Sequence, residues 1–501
     1  MAFQVVLSDL FTQSTLATVI RCSIFLLYFH PLSSFPGPRI AAISNVWYGY
    51  HWLSGRYPWA IEDALRKYGP VVRIAPNELA FYTPQAFTDI YSPHFKNFET
   101  FVKTDFQNRG KDLGGLIWEE DPPRHRKVAR KLSPAFSSRS IRTMEPLVHK
   151  YMDYFVIKMK DLDPNGVALA QWTNWLAMDL SADLAWNAEM YQMRHSSPVK
   201  DSVHLDALLS FNKFATVLQV FKRFPLLRPF QYLFVPLGKV RVFSAMEKVT
   251  GDSVLRRIDQ RGSTEHEDYF DHILPADSPA PTDSGELLHI GSLALQVMFA
   301  GWGPMGDLFH GTLALLLAEP DCYKILVKEI RGHFEEYNAI MPAAVGSIPH
   351  LYACVEETHR LLPSNSTGLP RISPGVMVDG RYIPKGTHSY DFHEPLRFQL
   401  QRWLPYSHPL YDPVFAKDHL KSLHPFSLGP RICLGREMAW MQGKLFLAKV
   451  LWMFDIVKAP NQHFDLDKTL LHYGFFEKPE LRVRFLPVKR EKEYAVRNEH
   501  M

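Results

Sequence analysis

The sequence predicts a mainly α-helical protein with small β-sheets, and three observations lead to this prediction. Residues 285–317 are apolar over most of their length, as expected of a long helix buried at the centre of a large domain. Helical periodicity recurs on both sides of this stretch, whereas only two short patches carry strand and turn signals. No internal repeat or long linker follows residue 40, so we expect a single large domain.

Composition narrows the possible classes of protein. The chain has 501 residues, and its 46% hydrophobic content supports a sizeable core. With 56 basic and 52 acidic residues the net charge is +4, too small for a nucleic-acid binder that works by neutralising phosphates. The cysteines form no Cys-x-x-Cys pair, which excludes a disulfide scaffold and a zinc ribbon and favours a reducing compartment; they are Cys22, Cys322, Cys354 and Cys433.

The first thirty residues differ from the rest because they are mostly apolar, although Asp9 and Arg21 interrupt them. A spanning helix needs about 20 predominantly apolar residues. We expect a membrane anchor at residues 1–30, with a cleavable signal peptide or a buried first helix as alternatives. The proline-rich residues 31–39 are expected to be a stiff hinge, followed by a folded domain at 40–490 and a polar tail at 491–501.

The remaining elements follow in chain order. Residues 71–81 form the first β-rich patch, with Pro76 and Asn77 at its turn, and residues 123–132 and 144–162 are expected to form a basic and an amphipathic helix. Gly301, Gly303 and Pro304 interrupt the long apolar helix. The later elements are two shorter helices near 321–337 and 348–362, a β-rich patch at 371–387, and a last helix from about residue 433 whose apolar positions predict burial on one face.

The most informative motif precedes this last helix and reads Phe426-x-x-Gly429-x-Arg431-x-Cys433-x-Gly435. A cysteine at the mouth of a helix is well placed to be a thiolate, because the helix N-terminus offers unpaired N–H groups and a positive dipole end. The glycines allow a tight backbone around the sulfur, and Arg431 can pair with an anionic group of a ligand. Burial as a small hydrophobe, the usual fate of free cysteines, suits Cys322 and Cys354 better.

This complete pattern resembles the haem-ligand loop of the cytochrome P450 family. The resemblance implies the P450 fold, with the long central helix over a haem b (iron protoporphyrin IX) and Cys433 as the axial ligand of its iron. Glu357-Thr-His-Arg360 resembles the family's Glu-x-x-Arg, and Arg402-Trp403 its Arg-Trp pair. By this resemblance Glu357, Arg360 and Arg402 form a structural charge network and are not catalytic.

The resemblance also suggests which residues hold the haem propionates. Arg371 matches the family's arginine in the strand after the Glu-x-x-Arg helix, and His125 matches a propionate donor on the basic helix. The usual arginine four residues later is Ala129, so Arg130 is a candidate substitute, although a basic residue on a helix more often faces solvent. Such a basic helix could also receive an acidic redox partner.

Two departures from the family pattern affect the expected chemistry. Ala300 and Gly301 resemble the small pair that leaves room over the haem, but Gly303 and Pro304 replace the acid and the alcohol that organise proton delivery, and Asp307 or His310 could supply polar function instead. Between Thr387 and Arg402 about ten residues, roughly a strand and its turn, are expected to be missing.

Aromatic residues at 211–235 and 473–476 resemble the family's substrate roof and imply an apolar substrate. The resemblance is greatest to fungal, membrane-anchored members of secondary metabolism. It implies a monooxygenase on the cytosolic face of the endoplasmic reticulum that takes electrons from an NADPH-dependent cytochrome P450 reductase and oxidises a terpenoid, polyketide or alkaloid. The alternatives are a haem enzyme without standard oxygen activation (an isomerase, dehydratase or peroxide-using enzyme) and an inactive relic.

Overall fold

A computed structural model describes residues 14, 16–92, 100–104, 115–161, 166–194, 203–235, 238, 251–364, 370–384, 388–391, 398, 400–417, 420, 423–460, 462 and 466–489. Helices dominate these residues, which confirms the predicted fold class. The helices are α1 (Arg39–Ile43), α2 (Val46–Leu53), α3 (Tyr57–Tyr68), α4 (Pro84–Tyr91), α5 (Pro122–Leu132), α6 (Ser138–Asp161), α7 (Leu169–Trp186), α8 (Val203–Lys222), α9 (Phe270–Ile273), α10 (Ser284–Ala318), α11 (Pro320–His333), α12 (Pro342–Val345), α13 (Pro349–Leu361), α14 (Arg436–Met453) and α15 (Leu466–Thr469).

The strands are short and form four small sheets. They are β1 (Val71–Ala75), β2 (Glu78–Phe81), β3 (Val102–Lys103), β4 (Val167–Ala168), β5 (Arg371–Ile372), β6 (Val376–Val378), β7 (Arg381–Ile383), β8 (His388–Asp391), β9 (Phe454–Lys458), β10 (Leu471–His472), β11 (Phe476–Glu477) and β12 (Arg482–Pro487). The largest sheet has the order β1-β2-β8-β5-β3. The others are β4-β12-β9, β6-β7 and β10-β11.

Each of the two predicted β-rich patches contains a hairpin. β1 and β2 pair antiparallel on either side of Pro76 and Asn77. β6 and β7 pair antiparallel around Asp379 and Gly380, whose φ angles are 47° and 72°. Asp379 tolerates this left-handed region because its short polar side chain can bond locally, and Gly380 has no side chain to clash.

A strand is present before Arg402, so the expectation of a missing strand is wrong, whereas the expected shortening by about ten residues stays a prediction. β8 lies in that interval and occupies the middle of the largest sheet, parallel to β2 and antiparallel to β5. The strand was hard to recognise because His388-Ser-Tyr-Asp391 has no apolar alternation. A central strand takes its position from hydrogen bonds on both sides, which a local pattern does not reveal.

Helix α10 is the longest helix described, with 35 residues. It runs without a break through Pro304, and it packs along α7 at the centre of the main hydrophobic core. Helix α14 also enters this core, but the prediction of one buried face holds only for its first half. Residues 445–453 are buried on every side, because α6, α11 and α13 surround them.

The N-terminal segment is attached to the sheet. Among the described residues no helix is both long and apolar enough to cross a membrane; residues 1–13 and 15 of the predicted anchor, and the tail at 491–501, lie outside them. The predicted hinge packs against β1, where Arg73 N–H donates to Pro36 O at 2.8 Å and the Arg73 guanidinium to Leu26 O at 2.8 Å. A Cβ on Gly37 would lie 2.3 Å from Arg73 O, so only glycine permits this approach. The hinge is therefore part of the folded domain.

Candidate functional site

The cysteine loop is built by backbone turns immediately before α14. Ser427 and Gly429 adopt positive φ angles of 62° and 67°, and residues 429–431 form one tight helical turn. Cys433 N–H then donates to Phe426 O at 2.9 Å, which closes the loop. Gly435 has a φ of −81°, and a Cβ there would meet its neighbours at ordinary distances of 3.7 Å or more. The loop therefore needs Gly429 for its backbone conformation, whereas Gly435 is not required for the same reason.

The sulfur of Cys433 lies where a ligand can reach it. Cys433 is exposed, and it precedes the helix by three residues, so the predicted position at a helix mouth is correct. Burial against the surrounding protein raises the pKa of the thiol, while the Gly435 N–H that bonds the sulfur and the nearby Arg436 lower it. These last two groups stabilise a thiolate. The thiol at Cys322 and that at Cys354 are buried, as expected of packing residues.

The predicted charge network is present and lies next to the cysteine loop. Arg360 Nε and Nη2 each donate to a different oxygen of Glu357 at 2.7 Å, and Arg402 Nε lies 3.6 Å from Glu357 Oε2. Trp403 Nε1 donates to the same oxygen at 2.8 Å, a contact that the sequence analysis did not identify. Glu357 is fully buried, so its charge requires these donors. One residue before Arg360, His359 packs edge-on against Phe426, which links the network to the cysteine loop.

A cluster of basic side chains forms around His125. Burial, together with the charges of Arg431, Lys103 and Arg371, lowers the pKa of His125 to about 3. Lys103 and Arg371 are buried and face each other across the β3–β5 pair. Like charges directly opposite in a sheet repel. The cluster is therefore a region of positive potential suited to an anionic ligand. His125, Arg371 and Arg431 were predicted from the sequence, and Lys103 was missed because only sheet pairing brings it there.

Two basic residues differ from the expectation. Arg130 is exposed, and five residues after His125 it lies about 140° around α5 from that side chain, so its position does not support a propionate contact. Arg431 donates to Glu119 O at 2.5 Å and Glu120 O at 3.2 Å. It therefore holds the cysteine loop to the segment before α5, in addition to supplying charge near His125.

Gln296 anchors the same segment from the long helix. Its Oε1 accepts the N–H groups of Leu116 and Ile117 at 3.0 and 2.7 Å, and its Nε2 donates to Ser292 Oγ at 3.0 Å. Gly115 has a φ of 117°, and a Cβ there would lie 2.0 Å from Gln296 Nε2. The Ile117 carbonyl in turn accepts from the Lys103 ammonium. Gln296 is thus a positioning residue for the basic cluster, and it looked like an ordinary core position in the sequence.

The small residues of α10 have different roles. Ala300 is exposed in the middle of a helix that is otherwise largely buried, so it lines a space that a ligand can enter. A Cβ on Gly301 would lie 2.7 Å from Ser181 Oγ, and one on Gly303 would lie 2.5 Å from the ring of Phe475. Gly301 therefore allows α7 to approach. Of the predicted pair, only Ala300 faces open space.

Asp307 forms a buried ion pair near these residues. Its Oδ1 lies 2.7 Å from Lys478 Nζ, and the two side chains are 2% and 6% exposed. Lys478 Nζ also donates to Asn174 Oδ1 at 3.0 Å. Burial raises the pKa of Asp307, opposed by Lys478, and burial lowers the pKa of His310 to about 3. Asp307 and His310 are therefore enclosed in protein and do not supply the open polar groups that the sequence analysis considered.

The side chains present fit a haem. An accessible cysteine with a bonding amide would suit a ligand of a haem iron, and a buried basic cluster would suit its two propionate groups. Exposed Ala300 on the central helix leaves room for a flat ligand and its substrate. The fit rests on the chemistry of these donors.

Comparison with known proteins agrees with this arrangement. The cytochrome P450 family model matches residues 38–480. The chain is 46% identical over 479 residues to the cytochrome P450 monooxygenase TwmD of Talaromyces wortmannii, covering 93% of each chain. It is 34% identical to the monooxygenase poxC of Penicillium oxalicum, covering 93% of this chain and 92% of that protein, and 34% identical to BOA3 of Botryotinia fuckeliana, covering 92% and 93%. The chain belongs to the cytochrome P450 family and is a monooxygenase.

Proposed function

We propose that this monooxygenase inserts one oxygen atom from O2 into a hydrophobic secondary metabolite, a terpenoid, polyketide or alkaloid. The observation that carries the proposal is the accessible Cys433 sulfur, bonded by the Gly435 amide at the mouth of α14. Haem, when bound, supplies the oxygen chemistry, and electrons come from an NADPH-dependent reductase. The relatives are fungal monooxygenases, which supports a role in fungal secondary metabolism.

Different residues of this chain bind the iron and the propionates of the haem. Cys433 is the thiolate ligand of the iron, and the Gly435 N–H favours the ionised sulfur. Lys103 and Arg371 bind the propionates through their charges, and the neutral His125 beside them donates a hydrogen bond. Gln296 holds the loop that completes this region. The Glu357 network supports the cysteine loop through the contact between His359 and Phe426, and it does not contact the substrate.

Aromatic packing beside Ala300 supports an apolar substrate. Trp302 lies between Phe299 and Phe475, with ring centroids 5.9 and 5.8 Å away. Trp302 is buried in the core, so the half-buried Phe299 and Phe475 are the rings of this group that a hydrophobic molecule can contact. By contrast, the aromatic residues expected in the roof at 225–234 are largely on the outside of the protein: Phe230, Tyr232 and Phe234 are exposed.

These exposed residues support a membrane location. Large apolar side chains are exposed on three segments that contact one another in series, through α1, α2 and α8. They are Leu16, Val19, Ile20, Ile24, Phe25, Tyr28 and Phe29 in the N-terminal segment, Ile40, Val46, Tyr50 and Leu53 in α1 and α2, and Leu226, Leu227, Phe230, Tyr232, Leu233 and Phe234. A contiguous apolar surface of this kind favours a lipid interface. We propose a location on the endoplasmic reticulum membrane with the catalytic domain in the cytosol. The apolar surface supports membrane contact, and the compartment follows from the resemblance to membrane-anchored members of the family.

The first test is the difference spectrum of the reduced, carbon-monoxide-treated full-length protein, made with sufficient haem. The wild type is expected to show the red-shifted Soret band of a thiolate-ligated haem, and Cys433→Ser is expected to lose it. Cys22→Ser is the matched control, because Cys22 is also exposed. A wild type that folds without this band, or a Cys433→Ser variant that keeps it, would contradict the proposal.

The second test addresses the reaction. Product formation from an apolar substrate is expected to require NADPH, the reductase and O2 together, with one atom of labelled O2 in the product. Turnover supported by peroxide alone, or product without incorporated oxygen, would instead favour a haem enzyme without standard oxygen activation.

Membrane location is tested separately by flotation with liposomes. The double variant Leu226→Asp, Leu233→Asp is expected to bind the liposomes more weakly than the wild type.

A further inference from the structure

A cluster of three potential metal ligands lies away from the haem-binding residues. Glu329 is on α11, His350 is the second residue of α13, and His408 is in the loop between residues 403 and 413. One oxygen or nitrogen of each side chain lies within 4.8 Å of one from each of the other two. We propose that these three residues bind a zinc ion.

His350 and Glu329 present two donor atoms next to each other. His350 is 95% buried, and its Nδ1 lies 3.0 Å from Glu329 Oε2, which also accepts the His350 backbone N–H at 3.2 Å. Two ligand atoms of one tetrahedral zinc ion lie about 3.4 Å apart, so His350 Nδ1 and Glu329 Oε2 are already near the spacing that a shared ion requires. A zinc ion bound at Nδ1 takes the place of the hydrogen bond between the ring and the carboxylate, and the neutral ring then carries its proton on Nε2.

His408 faces His350 from the loop. The two rings are 4.9 Å apart and nearly perpendicular, at 84°. Nδ1 of His408 accepts the Leu410 N–H at 3.2 Å, so this nitrogen carries a lone pair that a metal could use in place of a long hydrogen bond. The backbone N–H of His408 donates to Pro405 O at 2.8 Å, and this hydrogen bond fixes the turn that carries the ring.

The donor set selects the class of metal. Two imidazoles and one carboxylate are typical ligands of Zn²⁺, with a water molecule in the fourth position. Bond lengths of about 2.1 Å place tetrahedral ligand atoms about 3.4 Å apart, so ligand atoms that lie within 4.8 Å of one another need to approach by at most about 1.4 Å. Glu329 is 25% exposed in its side chain, which leaves the position open to water.

The site would join three elements that support the haem domain. His350 and Glu357 share α13, and His408 follows Arg402 and Trp403 by a few residues. A metal ion would therefore attach the loop after the charge network to the helix that carries the network. If His350 and Glu329 formed only an ion pair and the protein had no metal site here, replacing His408 would not change zinc binding.

Zinc titration of the full-length holoprotein tests the proposal. The protein is made without a polyhistidine tag, treated with a chelator that leaves the haem in place, and dialysed against buffered free Zn²⁺. Bound zinc is measured by atomic spectrometry, and thermal unfolding is followed in the same samples. His408→Ala and Glu329→Gln are the test variants. His333→Ala is the matched control, because His333 is exposed at the end of α11.

We expect one zinc ion per wild-type chain and a zinc-dependent rise in the unfolding temperature. His408→Ala should weaken this binding at least about tenfold and remove the rise, since loss of an outer partner alone costs about 10- to 100-fold. His333→Ala should bind as the wild type does. Equal zinc binding by His408→Ala and the wild type would overturn the proposal, as would the lack of a wild-type site at micromolar free zinc. The carbon monoxide spectrum verifies that each variant is folded.

Discussion

Replacing Lys478 by methionine should destabilise the protein strongly. Met keeps most of the length of the lysine side chain but removes its charge, so Asp307 remains buried without its cation at 2.7 Å. Asn174 Oδ1 also loses its donor. Removing one member of a buried ion pair costs about 3–5 kcal/mol. With an unfolding entropy of roughly 2.1 cal/mol/K per residue over the chain, this corresponds to a decrease of about 3–5 °C in the melting temperature.

The cost should depend on pH. Burial already raises the pKa of Asp307, and loss of Lys478 would raise it further. Between the pKa of the unfolded carboxyl group, near 3.9, and the raised pKa of the folded state, the folded state holds a proton that the unfolded state has released. Stability therefore falls as pH rises. The penalty of Lys478→Met should be smaller at pH 5 than at pH 8.

A double variant separates charge from packing. Asp307→Asn in the Lys478→Met background removes the uncompensated charge. It should restore most of the lost stability, because neither side chain then carries a charge. The melting temperatures of the three variants are compared in holoprotein at a fixed heating rate and at both pH values. A loss below about 1 °C in Lys478→Met, a pH-independent loss, or no rescue by Asp307→Asn would refute the reasoning.

Three further predictions follow from packing and burial. Gln296→Leu should cost about 1–3 kcal/mol of unfolding free energy, because it leaves two backbone N–H groups without their acceptor, and it should weaken haem retention in a transfer assay. Gly303→Ala should cost about 1–3 kcal/mol, and Phe475→Ala should relieve this cost in a double-mutant cycle. Burial lowers the pKa of His359 to about 4, so stability should fall as pH drops from 6.5 to 4, and His359→Phe should flatten this slope in chemical denaturation.

Local sequence signals were sufficient where one element carries the whole feature. Glu357 and Arg360 lie on one helix face because they are three residues apart, and this spacing gives the bidentate pair seen in the structure. Cys433 precedes a helix whose periodicity is visible in the sequence. Both required only short-range geometry, so sequence reasoning identified them together with the hairpins at 71–81 and 376–383.

Features that depend on distant parts of the chain were not accessible in this way. Lys103 joins the basic cluster through pairing with Arg371, which is 268 positions later in the numbering. Gln296 binds a loop about 180 residues before it, and Lys478 reaches Asn174 over 304 residues. A single lysine or glutamine has no sequence pattern that reveals such a partner. Strand β8 escaped detection for the same reason, since neighbouring strands define it.

The structure gives a physical reason for the missing acid and alcohol on α10. At Gly303 even a Cβ would lie 2.5 Å from the ring of Phe475, so an acidic side chain at this position would require that ring to move. Pro304 carries no hydroxyl group, and the next carboxylate, Asp307, is paired with Lys478 inside the protein. This stretch of α10 therefore offers no open side chain that could deliver a proton.

Proton delivery then depends on water or on a hydroxyl group of the substrate. An apolar substrate that carries a hydroxyl group should therefore couple NADPH consumption to product formation more efficiently than its deoxy analogue. Equal coupling for the two substrates would show that the substrate hydroxyl has no such role.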